Sequence, residues 1–380
     1  MDSNRELASF AARLHREIGP GQDSPKQTRA AWPAFNPLAL ELFALQFAHN
    51  PLYRRFCEAR GARPGTVADW TEIPAIPTAA FKAGPLSCLP AAARTAVFHS
   101  SGTTGQTPSR HFHSADSLAL YEASLRAWFD AHWPVAAGPW AWVILTPPPD
   151  QAPHSSLVHM FETLRRARKP AAAAFVGRAA EDGAWVLDVD AAWPLLQSAA
   201  AGAQPVFLLG TAFSFVHLLD DFAARGRGLT LPAGSCALET GGYKGRSRAL
   251  PKAELHALMS RRLGLRPDRI ICEYGMSELS SQAYDGEVGP VAARALPGLA
   301  SPGARRFRFP PWARVRIISP ETGAAVEEGE TGLICVFDLA NVYSVLAVQT
   351  EDLGRRRGSG FELAGRAALA EPRGCSLMAV

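Results

Sequence analysis

Lysine is scarce in this 380-residue chain, and several patterns that identify common protein classes are missing. Only five lysines occur, although Lys and Arg together number 39, and the formal net charge is +4. No basic tract is interleaved with aromatic residues, so nucleic acid is not an expected partner. A Walker A loop is missing as well, because no Gly-rich segment ends in Lys-Ser or Lys-Thr. Any catalytic lysine therefore has few candidates.

Cysteine spacing and hydrophobic runs exclude further classes. The six cysteines are scattered, without a C-x-x-C pair or another spacing typical of zinc ligands. No basic N-terminal segment precedes an apolar run, and no apolar stretch approaches the ~20 residues that span a bilayer. A hydrophobic fraction of 47% with 19% charged residues is typical of globular proteins. We therefore expect a cytoplasmic protein with free thiols and no membrane span.

Short apolar runs alternate with helical patterns along the middle of the chain. The runs at 142–145, 206–209 and 270–272 predict buried strands, and the patterns at 157–168 and 252–263 predict helices. Such an alternation predicts an α/β fold with a largely parallel sheet.

The two ends of the chain have different patterns. The N-terminal segment predicts a helix that begins near Ser3 and ends at Gly19, and a second helical stretch runs from about 38 to 59. Near the C-terminus, the segments 313–318 and 332–339 predict two strands of a hairpin-like element.

A loop rich in serine, threonine and glycine is the strongest local signal. Glycines let the backbone turn tightly, so that N–H groups can point into one concavity, and hydroxyls add further donors. Such a loop suits a polyphosphate, although an ordinary surface loop can have the same composition. Its residues are Ser100, Ser101, Gly102, Thr103, Thr104 and Gly105.

A second signal directly follows the apolar run at 270–272. Tyr274, at a strand end, can stack on a planar base, and Ser277 can bond a phosphate oxygen. Glu278 can hold a divalent cation, because such hard ions prefer oxygen ligands. A strand-ending turn with an exposed acid would show the same residues.

A third signal lies near the C-terminus. Asp352 can accept hydrogen bonds from both hydroxyls of a ribose, and Gly365-Arg366 follows it. A charged turn between two strands is the plain alternative for this segment.

The order and spacing of these segments resemble the adenylate-forming superfamily of acyl-CoA synthetases, luciferases and peptide-synthetase adenylation domains. Within it, the chain resembles the acyl-protein synthetase (LuxE-type) family, which serves bacterial fatty-acid reductase complexes. The residues behind this closer resemblance are Phe81-Lys82, the segment Glu-Thr-Gly-Gly-Tyr-Lys-Gly at 239–245, and Arg-Gly-Cys-Ser-Leu at 373–377. It covers about residues 70–380.

The resemblance implies a fold and a division of the chain. Residues 1–365 would form the large N-terminal domain, with twisted, mainly parallel sheets and a C-terminal β element. The usual small C-terminal domain, which carries a catalytic lysine, would be lacking, since the sequence ends at Val380, shortly after Arg366. Residues 366–380 would be a short arm that carries an acyl-acceptor cysteine, Cys375.

The resemblance also implies roles for individual residues. The loop near residue 100 would hold the phosphates of ATP, and Glu278 would bind Mg²⁺. Lys244 is a substitute candidate for the missing lysine, although a surface lysine would fit there too. The other nucleotide-site residues would be Glu239, Gly241 and Gly242 on the adenine and acyl side, Tyr274 and Gly275 near adenine, Ser277 near the phosphates, Asp352 at the ribose, and Arg366 at the domain boundary.

The function that the resemblance implies is ATP-dependent activation of a fatty acid, followed by transfer of the acyl group to Cys375 as a thioester and delivery to a reductase partner. Two alternatives stay open. One is a ligase that delivers acyl or aryl groups to CoA or a carrier protein, and the other is a non-catalytic nucleotide-binding subunit of a reductase complex. The length of the acid and the oligomeric state do not follow from the sequence.

Overall fold

Helices are concentrated in the first two thirds of the chain. The computed structural model describes residues 3–19, 35–100, 107–133, 140–181, 183–241, 250–286 and 305–367. Within these ranges, no helix combines the length and the apolar character that crossing a lipid bilayer requires. The α-helices are α1 (Ser3–Ile18), α2 (Phe35–His49), α3 (Pro51–Glu58), α4 (Ala80–Ala83), α5 (Ala115–His132), α6 (Ser156–Arg168), α7 (Val189–Ala201), α8 (Ala212–Ala224) and α9 (Lys252–Leu263).

Strands alternate with these helices and then dominate the C-terminal part. They are β1 (Ile76–Pro77), β2 (Ala96–His99), β3 (Arg110–His113), β4 (Ala141–Ile144), β5 (Ala172–Phe175), β6 (Gly177–Ala179), β7 (Trp185–Leu187), β8 (Val206–Thr211), β9 (Cys236–Thr240), β10 (Ile270–Tyr274), β11 (Ala283–Tyr284), β12 (Ala313–Ile318), β13 (Thr331–Asp338), β14 (Ala347–Arg357) and β15 (Gly360–Arg366).

The central sheet has six strands in the order β11-β10-β9-β8-β4-β5. Its neighbours are parallel except β11, which pairs antiparallel with β10. The predicted strands at 142–145, 206–209 and 270–272 correspond to β4, β8 and β10, and the predicted helices at 157–168 and 252–263 correspond to α6 and α9. The prediction of an α/β fold with a mainly parallel sheet is confirmed.

Helices cover both faces of the central sheet. Side chains of a strand point alternately to its two faces, and in β8 Phe207 and Leu209 enter one core whereas Val206 and Leu208 enter another. The first core includes residues of α5 and α6, and the second includes residues of α7, α8 and α9. Burial on both faces explains why these strands read as continuous apolar runs. Polar groups are thereby restricted to the strand ends.

A second sheet is built mainly from the C-terminal third. Its strands run β1-β14-β13-β12, with β15 also paired to β14, and only the pair of β1 and β14 is parallel. The predicted hairpin-like element is confirmed as the antiparallel pair of β12 and β13. The sheet extends further than the hairpin, because Asp352 lies inside β14 and Arg366 ends β15. Neither residue lies in a turn, so the plain alternative for that segment was wrong.

The helical stretch predicted at 38–59 is interrupted. Asn50 has extended backbone angles, φ −116° and ψ 96°, and its side chain accepts a hydrogen bond from the Tyr53 N–H. The residue before a proline avoids the helical region, because the ring of Pro51 would clash with it. Proline itself suits the first turn of a helix, so α3 begins there. The helix end predicted at Gly19 is confirmed, since α1 ends at Ile18.

Gln46 connects α2 to the turn between β13 and β14. Its side chain is fully buried. The Nε2 atom donates to the carbonyl oxygens of Asn341 at 2.9 Å and Val342 at 3.1 Å, while Oε1 accepts from the Leu346 N–H at 2.8 Å. Buried backbone groups need such partners. One amide therefore fixes the N-terminal helices against the second sheet.

We predict that Gln46→Ala lowers the free energy of unfolding by about 3 kcal/mol, because it leaves buried backbone groups of the turn without partners. The matched control is Gln151→Ala, which removes one contact, from the Ala179 N–H, at an exposed position. It should cost less than about 1 kcal/mol. Urea unfolding of the three proteins measures both values, and equal losses would contradict a connecting role for Gln46.

Candidate functional site

The carboxyl edge of the central sheet gathers polar residues from β9 and β10. These strands are parallel neighbours, and Glu273 of β10 lies opposite Thr240 of β9. Gly241 and Gly275 follow the two strands directly. Ligands of open α/β sheets bind beyond the carboxyl ends of the strands. This edge is therefore the candidate site.

Gly275 lets the backbone pass close to the Glu273 side chain at the end of β10. A Cβ atom at this position would lie 2.2 Å from Oε1 of Glu273, far inside contact distance. The Glu273 side chain is itself buried beside Thr240 and has little room to move. Glycine is thus the residue that allows the turn carrying Ser277 and Glu278 to pass over this carboxylate.

Glu278 is a buried carboxylate held by two hydroxyl groups. The Ser109 Oγ–H donates to Oε1 at 2.5 Å, and the Ser277 Oγ–H donates to Oε2 at 3.0 Å. Glu278 itself is 5% exposed. The Ser109 N–H donates to Oγ of Ser100 at 2.9 Å. Ser100 and Glu278, both predicted to be site residues, are therefore linked through Ser109.

The donor set around Glu278 fits a cation that is shared with a substrate. Each carboxylate oxygen accepts one hydroxyl and keeps a lone pair free. In the described ranges, no group of three or more His, Cys, Asp or Glu side chains could hold a metal by itself. Mg²⁺ commonly keeps several waters and binds through one or two carboxylates plus substrate phosphates. The residues present fit such a shared ion, and the assignment of Mg²⁺ to Glu278 stays a prediction.

Tyr274, Asp352 and Arg366 come together where the two sheets meet. The Tyr274 hydroxyl donates to Oδ2 of Asp352 at 3.0 Å, and Nε of Arg366 lies 3.3 Å from Oδ1. The Tyr274 ring packs against Phe307 and Phe361, with centroids 5.9 Å and 5.3 Å away. Burial, aided by the neighbouring Asp352, raises the pKa of Tyr274 well above its ordinary value. The phenol therefore keeps its proton and remains a donor to Asp352.

The Glu239 side chain lies on the face of the central sheet that α9 covers. Its Oε2 is 3.2 Å from Nε2 of His256, a residue of α9. Thr240 and Glu273 point to the opposite face, because side chains alternate along a strand. The predicted role of Glu239 beside adenine and the acyl group stays a prediction.

Comparison with solved structures gives likenesses that extend over most of the chain. A structure of 2-hydroxyisobutyryl-CoA ligase in an open conformation, in complex with 2-HIB-AMP and CoA, has a TM-score of 0.60 at 16% identity. The alignment covers 91% of this chain and 79% of that chain. This likeness and the parallel central sheet decide the architecture. The chain has the adenylate-forming enzyme fold.

Two further structures align over a shorter part of their own length. ATP-bound MatB from Rhodopseudomonas palustris is 18% identical with a TM-score of 0.44, and the alignment covers 83% of this chain and 58% of that chain. The ATP-bound RpMatB-BxBclM chimera B3 is 21% identical with a TM-score of 0.45, and the alignment covers 71% of this chain and 47% of that chain. The chain thus spans about half the length of these two proteins. No protein-family model and no curated protein sequence matches it.

Within the adenylate-forming fold, Ser109 and His111 contact the Glu278 turn although sequence patterns assigned them no role. Nδ1 of His111 lies 2.8 Å from the carbonyl oxygen of Ser277. Burial lowers the pKa of His111 to about 4, although the bond to Ser277 opposes that shift. The spacing of two residues was the available signal, because extended backbone that continues from Ser109 into β3 places side chains two residues apart on one face.

Part of the predicted site lies outside the described residues. Most of the phosphate loop belongs to this part, as do the candidate lysine and the predicted acyl acceptor. Their assignments therefore stay predictions, and they concern Ser101, Gly102, Thr103, Thr104, Gly105, Gly242, Lys244 and Cys375.

Two of the described cysteines lie in the core. Cys272 and Cys335 are buried, 4% and 2% exposed. Burial raises the pKa of Cys335 to about 12 and that of Cys272 well above its ordinary value. Neither thiol is a nucleophile at neutral pH, because the thiolate is the reactive form.

Glu273 should make the protein less stable as the pH rises. Burial, with the nearby Glu239, raises the pKa of this carboxyl to about 7, although its hydrogen bond with Thr240 opposes the shift. A raised pKa means that the folded state binds the proton more tightly. The resulting stability is fully present below about pH 4.5, the unfolded value, and is lost as the pH rises through about 7.

We predict that Glu273→Gln shows a smaller drop in Tm between pH 5 and pH 8 than the wild type. Glu254→Gln, a change of the same charge at an exposed position of α9, should keep the wild-type drop. Thermal unfolding followed by circular dichroism at both pH values makes the comparison. A Glu273→Gln protein with the wild-type pH dependence would show that Glu273 is ionised in the folded state.

Proposed function

We propose that this protein activates a carboxylic acid with ATP, forming an acyl adenylate and releasing pyrophosphate. The observation that carries the proposal is the buried Glu278, held by Ser109 and Ser277 at the carboxyl edge of the sheet. Ser109 follows the Ser-, Thr- and Gly-rich loop in sequence, and its N–H donates to Oγ of Ser100, the first residue of that loop. The likeness to a ligase solved with 2-HIB-AMP and CoA supports the same chemistry.

The first step is a displacement at the α-phosphorus of ATP. One carboxylate oxygen of the acid bonds to that phosphorus, and the bond from phosphorus to the bridging oxygen of pyrophosphate breaks. Catalysis of such a step is mainly positioning and charge stabilisation. We assign the phosphates to residues 100–105 and Ser277, and Mg²⁺ to Glu278. When bound there, the cation would neutralise charge on the phosphates.

The nucleoside is assigned to the residues where the two sheets meet. Tyr274 and Gly275 would lie beside adenine, and Asp352 would accept from the ribose hydroxyls. A carboxylate has about four lone pairs, so Asp352 can add such bonds to those from Tyr274 and Arg366. The adenine and acyl side is assigned to Glu239, Gly241 and Gly242, and Lys244 is the candidate for a cation near the reacting phosphate.

The second step that we propose is transfer of the acyl group to Cys375. The thiol loses its proton to water, the thiolate sulfur bonds to the acyl carbonyl carbon, and the bond from that carbon to the oxygen of AMP breaks, with the electron pair staying on AMP. The products are a thioester and AMP. We propose a fatty acid as the substrate and a reductase as the protein that accepts the acyl group, with residues 366–380 as the arm that carries it.

A ligase that delivers the acyl group to CoA is the second candidate, because the aligned 2-hydroxyisobutyryl-CoA ligase was solved with CoA. Incubation with ATP and radiolabelled fatty acid, without CoA, distinguishes the candidates. Covalent label on the protein supports self-acylation, whereas free acyl adenylate supports delivery to CoA or a carrier protein. No adenylate and no label would leave a nucleotide-binding subunit of a reductase complex.

We predict that Glu278→Gln slows acid-dependent exchange of pyrophosphate into ATP by about 10²-fold or more, because it removes a charge that holds the cation at the reacting phosphates. Glu321→Gln, at an exposed position between β12 and β13, is the matched control and should exchange at the wild-type rate. Near-normal exchange by Glu278→Gln would show that the cation is bound elsewhere.

We predict that Cys375→Ser still forms acyl adenylate but no thioester that hydroxylamine can cleave. A serine hydroxyl is almost wholly protonated at neutral pH, whereas a thiol is partly thiolate. Cys88→Ser is the control, since Cys88 is the half-buried thiol among the described cysteines. Mass spectrometry after incubation with ATP and fatty acid locates the acyl group. An acyl mass on another cysteine, or on none, would contradict the transfer step.

A further inference from the structure

Strand β3 and the residue just before it each make one contact with the turn that carries Glu278. The segment leading into the strand supplies Ser109, whose hydroxyl donates to the Glu278 carboxylate. Within the strand, Nδ1 of His111 lies 2.8 Å from the carbonyl oxygen of Ser277. One contact therefore reaches the carboxylate itself, and the other reaches the peptide bond that joins Ser277 to Glu278.

The partner of His111 determines which ring nitrogen carries the proton. A carbonyl oxygen only accepts hydrogen bonds, so Nδ1 of a neutral imidazole must be the donor. The side chain is 2% exposed, which keeps water from replacing the ring as the partner of Ser277. The ring is held in place by Phe81 and His113, with centroids 6.3 Å and 4.3 Å away.

Asn341 holds the other side of the same turn. Its Nδ2 donates to the carbonyl oxygen of Glu278 at 3.0 Å. His111 and Asn341 thus bind the carbonyl groups before and after the Glu278 Cα. With both carbonyls fixed, the backbone angles of Glu278 have little freedom, and the direction in which its carboxylate leaves the backbone is set.

We propose that His111 is a positioning residue, whose Nδ1–H bond to Ser277 orients Glu278 toward the cation that accompanies ATP. The inference rests on the proposed role of Glu278. His111 touches neither the cation nor the nucleotide in this assignment and acts only through the Ser277 peptide. Partners of metal ligands commonly contribute 10–100-fold to metal affinity.

The chain offers matched variants. In His111→Asn, the amide nitrogen can occupy the place of Nδ1 and keep the bond to Ser277, whereas the longer side chain of His111→Gln places its amide where Nε2 stands. His132→Gln is the control for packing, because His132 is 1% exposed and its Nδ1 also lies 2.8 Å from a backbone carbonyl oxygen, that of Trp128, which is not part of the turn.

The experiment measures Mn²⁺ binding by electron paramagnetic resonance in the presence of a non-hydrolysable ATP analogue, together with the Mg²⁺ dependence of pyrophosphate exchange. We expect His111→Gln to raise the half-saturating Mn²⁺ and Mg²⁺ concentrations about tenfold or more. His111→Asn should recover most of that loss, and His132→Gln should bind both cations like the wild type. ¹⁵N NMR of the wild type should show the proton of His111 on Nδ1.

The possible failures separate the inference from the proposed function. A wild type that binds no Mn²⁺ with the analogue and shows no exchange would overturn the role of Glu278, and the inference with it. Normal cation binding by His111→Gln, or an equal loss in His132→Gln, would overturn the inference alone. So would an NMR spectrum with the proton on Nε2, a measurement that needs no variant to fold.

Discussion

A carboxylate that is removed from water needs hydrogen-bond donors, and Glu278 obtains them from two parts of the chain that are far from each other in sequence. Ser277 is its neighbour in sequence, whereas Ser109 comes from the segment before β3. An unsatisfied buried charge would cost several kcal/mol. This requirement brings Ser109, which follows the Ser-, Thr- and Gly-rich loop in sequence, to the carboxyl edge of the central sheet, where His111 then adds a second contact to the same turn.

The second sheet completes the site by supplying an acidic partner for Tyr274. β14 places Asp352 within hydrogen-bond distance of the phenol at the end of β10, and β15 places Arg366 on the far side of the same carboxylate. The aromatic rings of Phe307 and Phe361 pack between these elements. A change in the packing of the two sheets would therefore move the proposed ribose contact relative to the proposed cation contact.

Helices on both faces of the central sheet account for the position of the polar residues. Apolar side chains of β4, β8, β9 and β10 fill the two cores, so the carboxyl ends are where charged groups can gather. Glu239 shows the limit of this rule, because it is buried on the α9 face and pairs with His256.

The sequence by itself determined the class of fold, because buried parallel strands need continuous apolar runs and the intervening helices need their own periodicity. Local chemistry also indicated Glu278 and Tyr274, since both stand where an apolar strand ends. The interruption of the helix at Asn50 was readable in principle from Pro51. Strand β9 and the full extent of β14 and β15 were not, because their pairing depends on neighbours far along the chain. Only the tertiary structure decided that Ser109 and His111 meet the Glu278 turn and that Tyr274 meets Asp352. These contacts join residues that are 78 to 169 positions apart, and no local propensity specifies which distant side chains will share a buried site.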